Sequence, residues 1–189
     1  QRLQLEHEAV RLMLEAAVLR AHGDLDQAFA LLSKARDISP NNPVVKNELV
    51  GMLTSSAQNL RGVDGAQEAA EQFQAALQLD PDDFWSLYYL IELAMQAGEI
   101  ESAERLLAHA STRYPDSPLM LGQKGKYVFT LGDRVQGLNL AGRAAVLHPG
   151  SRRLWLDLNT MAKLADDKAW QTRAQNELAR LDAYIEGRD

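Results

Sequence analysis

The stretch PDDFWSLYYLIELAMQAGEIESAERLLAHASTRYPDS, residues 81–117, opens and closes on the same phrase, a proline followed by an acidic residue, with Pro81 and Pro115 34 positions apart. Pro149 lies a further 34 positions on. Small residues keep the same phase: Ala76, Ala110 and Ala144 stand five positions before the prolines, and Ala69, Ala103 and Gly137 twelve before. Gly98 and Gly132 stand seventeen before Pro115 and Pro149. A period of this length, with bulky apolar residues between small ones, marks a helix–turn–helix unit that buries its apolar face against neighbouring copies of itself.

The punctuation says where each helix stops. His22-Gly23-Asp24, Ala97-Gly98-Glu99 and Leu131-Gly132-Asp133 combine a glycine that closes one helix with an acidic residue that favours the start of the next. Ser39-Pro40-Asn41-Asn42-Pro43, Asp80-Pro81-Asp82-Asp83 and Tyr114-Pro115-Asp116-Ser117 end a helix and offer a capping side chain to its successor. Outward from residues 81–117, the period predicts repeat 1 at 9–42, repeat 2 at 43–83, repeat 3 at 84–117, repeat 4 at 118–151 and a degenerate repeat or C-terminal cap at 152–189. About ten helices are predicted, with no strand pattern. Repeat 2 is longer because Pro40 and Pro81 are 41 apart. Seven extra residues fall near 56–62, about two helical turns, enough to lengthen both helices of that hairpin by a turn while keeping their faces in phase.

These positions resemble the tetratricopeptide repeat, whose pattern sets small residues at its eighth, twentieth and twenty-seventh positions and proline at its thirty-second. The carriers are Ala16, Ala28, Ala35 and Pro40; Val50, Ala69, Ala76 and Pro81; Ile91, Ala103, Ala110 and Pro115; Gly125, Gly137, Ala144 and Pro149. The resemblance implies a single all-α domain over 1–189, a right-handed α-solenoid of hairpins from a bacterial source. The last unit keeps Trp155 and Leu158 but has Asp166 at the turn glycine's place and no closing proline, as a polar cap would.

Composition narrows the partners. A formal charge of −6 argues against nucleic acid, which requires a basic surface. No apolar run reaches the roughly 20 residues of a membrane span, so direct membrane insertion is not expected. The chain has no cysteine, and His7, His22, His109 and His148 are scattered, so neither a metal site nor a cofactor is expected. No nucleophile, base and oxyanion set converges, and the chain is not expected to be an enzyme. A chain that opens on Gln1 reads as a piece of a longer precursor. The bacterial periplasm and the cytoplasm both stay open.

Repeat 3 shows where a partner is expected. Leu87, Leu90, Ile91 and Ala94 form the core stripe of its first helix. On the other side lie Trp85, Tyr88, Tyr89, Glu92 and Gln96, the side that lines the concave groove in the family that the chain resembles. The same side carries Asn47 and Thr54 in repeat 2, and Gly122, Lys126 and Phe129 in repeat 4. Gly122 is expected to leave a hollow beside Trp85 and Tyr88. It is either a pocket flanked by Glu92 and Lys126 or a gap that the aromatics fill. Replacing Trp85 and Tyr88 by Ala is expected to weaken a partner without unfolding the domain. A carboxylate clamp of the chaperone-binding kind is absent, since Met13, Ala17, Glu48, Trp85 and Tyr89 occupy its positions. The expected function is a scaffold that binds a protein or peptide segment in the groove. The alternative is the assembly arm of a bacterial envelope machine for secretion, exopolysaccharide export or cytochrome maturation. That arm would act through edge contacts, homo-oligomerisation or attachment to a larger complex.

Overall fold

The computed structural model of the chain describes residues 2–60 and 63–187. Among these there are ten α-helices and no strand: α1 (Arg2–His22), α2 (Leu25–Ile38), α3 (Pro43–Leu60), α4 (Ala66–Leu79), α5 (Phe84–Gln96), α6 (Ile100–Arg113), α7 (Pro118–Thr130), α8 (Arg134–Leu147), α9 (Arg152–Leu164) and α10 (Lys168–Ile185). They belong to two compact units, Gln1–Ser86 and Leu87–Asp189.

The turns form for the reasons written in the sequence. Gly23, Gly98 and Gly132 have φ of 90°, 74° and 102°, a left-handed backbone that a side chain disfavours. There the chain folds back on the helix it has just left, and Glu99 N–H donates to Ala94 C=O at 2.8 Å. In the last hairpin Asp166 takes the glycine's place at φ 56°, and Asp167 N–H closes the same turn on Ala162 C=O at 2.9 Å. The cap therefore keeps the hairpin geometry without the residue that suits it best. At the proline junctions, Asn42, Asp83 and Ser117 accept from Val44, Ser86 and Met120 N–H, as the capping reading expects, and Ser151 does the same for Leu154.

In the first unit α1 packs on α2, α2 on α3 and α3 on α4. Ala9, Ala16, Ala28 and Ala35 are almost fully buried at these crossings beside Leu12, Leu32, Val45 and Leu49. The extra length of repeat 2 is one-sided, contrary to the expected turn on each helix. α3 has 18 residues against 13 in α5, α7 and α9, whereas α4 has the same 14 as α2, α6 and α8. The remaining excess lies in the link, part of which, residues 61–62, is outside the described residues. The 3₁₀ turn Val63–Gly65 completes that link.

In the second unit α6 packs on α7, α7 on α8, α8 on α9 and α9 on α10, and α7 also touches α9. Trp155, Leu158 and Leu154 fill the centre, with Trp155 Nε1 donating to Pro149 C=O at 2.9 Å. α7 and α8 meet backbone to backbone. A Cβ on Gly137 would stand 2.8 Å from the Phe129 Cα, and one on Gly125 would stand 2.8 Å from the Ala141 amide nitrogen. Trp170 covers Gly142 in the same way, its ring 2.5 Å from where a Cβ would sit.

Gly51 is the control, exposed on α3 with nothing within 4 Å of its missing Cβ. Gly51→Ala is expected to stabilise the protein by about 0.5–1 kcal/mol through helix propensity alone. Gly125→Ala and Gly137→Ala gain the same propensity but must push helices apart, and are expected to destabilise by about 1–3 kcal/mol. Urea unfolding of the three variants measures both signs.

Candidate functional site

α5, α7 and α9 are the first helices of three successive hairpins, and the 34-residue period sets Tyr88, Glu92, Lys126, Arg153 and Asp157 on one side of them. Tyr88 is 1 % exposed and Tyr89 7 %, their rings edge to face with centroids 5.3 Å apart. The Arg153 guanidinium lies over both, 4.8 Å from the Tyr88 centroid and 5.4 Å from that of Tyr89. Cation–π attraction of this kind strengthens as water is excluded.

From Arg153 a chain of alternating charge runs across the three helices. Arg153 Nη2 donates to Glu92 Oε2 at 2.5 Å, Lys126 Nζ donates to Glu92 Oε1 at 3.3 Å, and the same Nζ meets Asp157 Oδ2 at 3.1 Å. The four side chains are 16–33 % exposed, so the network is half-sheltered and electrically neutral. Burial alone would raise the Glu92 carboxyl, but Lys126 and Arg153 outweigh it and hold the group below the usual glutamate value. Burial pushes the Tyr88 phenol well above its ordinary value; the Arg153 charge opposes the shift, and Asp157 and Glu92 add to it. Tyr88 therefore keeps its proton throughout the physiological range. Beneath, buried Gln123 donates from Nε2 to the Tyr88 carbonyl at 3.2 Å and ties α7 to α5.

Of the ten residues expected at the site, the second unit brings together Tyr88, Tyr89, Glu92 and Lys126. Gln96 is exposed at the end of α5. Tyr88 is packing and not a free anchor, which corrects the expectation that its removal would leave the fold intact. The hollow expected at Gly122 is filled: a Cβ there would meet Leu154 Cδ2 at 2.6 Å. Phe129 packs toward the core, with its backbone against Gly137 and the Arg134 guanidinium 5.9 Å from its ring. In the first unit Asn47 is exposed, and Trp85 is 42 % exposed with its ring edge to face with Phe84. Thr54 is buried, bonded to Ser86 Oγ at 3.2 Å and donating to Asp83 Oδ2 at 3.4 Å, so it presents nothing to a ligand. The residues that sequence reasoning missed are Arg153 and Asp157. They lie 68 positions, two periods, after Trp85 and Tyr89, both expected on the groove side, so the period itself was the signal.

Because the folded-state pKa of Glu92 is depressed, the stability it confers is complete above the ordinary carboxyl value of 4.5 and is lost as pH falls through the lower folded value. Glu92→Gln is expected to cost about 1–3 kcal/mol at neutral pH. The difference from wild type should shrink once the pH is below 4.5, which urea midpoints across a pH series measure.

A family model described as tetratricopeptide repeat matches residues 66–126. No curated protein matches the chain. Among solved structures, it is similar to MamA (residues 41 to the end) from Desulfovibrio magneticus RS-1, with 16% identity over 94% of this chain and 96% of that one and a TM-score of 0.64. A tetratricopeptide repeat protein from Parabacteroides merdae ATCC 43184 is 19% identical over 96% of this chain and 75% of that one, with a TM-score of 0.62. YrrB, a tetratricopeptide-repeat protein with an unusual peptide-binding site, is 14% identical over 92% and 86%, with a TM-score of 0.58. With the repeat model matched at its centre and these likenesses extending over nearly all of its length, the chain carries tetratricopeptide repeats at residues 66–126 and has the tetratricopeptide-repeat fold.

Proposed function

We infer that the chain is a non-enzymatic scaffold that docks a protein or peptide segment on the α5–α7–α9 face of its second unit. The tetratricopeptide fold supports a protein-interaction role in general, and proteins of this fold are typically non-catalytic. The observation that carries the finer reading is the charge chain on its tyrosine bed. Arg153, Glu92, Lys126 and Asp157 are fixed by one another and by Tyr88 before any partner arrives, so little side-chain entropy is left to lose on binding. Each still shows part of itself to solvent. A guanidinium stacked on aromatic rings keeps its planar fork oriented, which suits it to carboxylates and backbone carbonyls.

Gln96 and the exposed edges of Arg153 and Asp157 would set the register of the docked segment, and the acidic balance of the chain favours a segment that is neutral or basic overall. The bacterial sources of the similar structures support a bacterial origin. The second reading is an assembly arm of an envelope machine that acts through edge contacts or self-association, favoured by the exposed apolar residues Leu3, Val10, Leu14 and Val18 of α1.

Selection of a random peptide library against the immobilised protein, followed by titration of the enriched peptides, tests the docking face. Arg153→Ala is expected to weaken them at least about tenfold, near 1.4 kcal/mol. Enriched peptides that bind Arg153→Ala and Lys126→Ala as tightly as wild type would remove the face from consideration. Tyr88→Ala serves as the structural control and is expected to lower stability by about 3–5 kcal/mol.

A further inference from the structure

α1 is apolar on two opposite sides. Ala9, Leu12 and Ala16 are buried in the core that it shares with α2 and α3. On the other side Leu3, Val10, Leu14 and Val18 are 70 %, 46 %, 66 % and 57 % exposed. The exposed side is patterned. Leu3, His7, Val10, Leu14, Ala17 and Ala21 follow one another at spacings of 4, 3, 4, 3 and 4, six consecutive seam positions of a coiled coil, and all six are exposed. At 1.5 Å per residue this seam runs about 27 Å along the helix. Beside it an open depression of about 440 Å³ between α1 and α2, lined by Leu14, Val18, Leu19 and Leu31, widens the apolar surface.

We propose that α1 is a homodimerisation helix that pairs antiparallel with α1 of a second copy of the chain. A two-fold interface must be complementary to itself, and this seam is. In the antiparallel register Leu3 meets Ala21 of the other copy, Val10 meets Leu14 and His7 meets Ala17, so each alanine or histidine layer is matched by a different residue and the two aliphatic residues at the centre meet each other. A parallel pair would set His7 on His7 and leave two layers of alanine on alanine. The flanks agree as well. Glu6 lies toward one end of α1 and Arg20 toward the other, on the same edge of the seam, so antiparallel pairing brings each to its opposite charge. Arg20 also bonds Glu48 of its own chain at 2.7 Å on the exposed surface. The surface belongs to the first unit alone and is independent of the α5–α7–α9 face.

Sedimentation of the chain between about 1 and 100 µM is expected to show a monomer–dimer equilibrium with its midpoint inside that range. Leu14→Glu is expected to weaken dimerisation at least about 100-fold with an unchanged helical circular dichroism spectrum, because Leu14 is 66 % exposed. The chain has no cysteine, so introduced thiols report the register. A mixture of Leu3→Cys and Ala21→Cys chains should yield the mixed disulfide under mild oxidation, and Leu3→Cys alone should stay unlinked. Ready linkage of Leu3→Cys to itself would overturn the antiparallel register. A chain still monomeric at about 100 µM, or a dimer that Leu14→Glu leaves intact, would overturn the proposal.

Discussion

The close approach of paired helices is the constraint on which the rest depends. Where a Cβ on Gly137 would stand 2.8 Å from the Phe129 Cα, α7 and α8 can meet only because no side chain separates them. Almost fully buried alanines do the same work at the crossings of the first unit. Tight hairpins bring the first helices of successive repeats side by side in the second unit. A long side chain from α9 then reaches past α7 to α5, and Arg153 bonds to Glu92 across 61 positions of sequence. Repeat stacks are ordinarily held by contacts between nearest neighbours. Here one guanidinium ties the hairpins at either end of a set of three.

That tie shapes the candidate site. Tyr88 and Tyr89 lie beneath the Arg153 guanidinium and form a bed that orients the charges above. The network is neutral, and its members share the cost of partial burial. This is why Glu92 stays ionised below the usual glutamate range although burial opposes it. Under the proposed docking, such a surface would already be organised when a partner arrived. The polar groups left at its edges, and not an open hydrophobic pocket, would decide what docks.

Much of this was legible in residues with a fixed local duty. Turn glycines, capping Asn, Asp and Ser side chains, closing prolines and packed alanines each act within a few residues of their own position, so a 34-residue period reveals them. Leu87, Leu90, Ile91 and Ala94 read correctly as core for the same reason: all four are buried. What escaped depends on reach. Leu154, one repeat further on, fills the space that Gly122 leaves, because a gap in one hairpin is visible only to the side chain of the next. Thr54 and Phe129, both twelfth in their repeats, sit at the margin of the groove-side stripe, where packing decides which way a side chain turns. Arg153 and Asp157 stood in a unit whose polarity reads as a cap; the period marks their place on the groove side, but not an arginine's reach across two helices. The excess of repeat 2 was legible in amount, whereas its placement in α3 was not, since α4 keeps its 14 residues under the constraint of its alanine crossings.

The tie across α5, α7 and α9 can be measured without a ligand. A double-mutant cycle of Glu92→Gln and Arg153→Met, followed by urea unfolding at neutral pH and low salt, isolates the energy that the two side chains share. A coupling of about 1–2 kcal/mol is expected for a half-sheltered charged pair in contact. Additive losses, with a coupling near zero, would mean that α9 does not hold α5 in solution and would contradict the arrangement on which the candidate site is built.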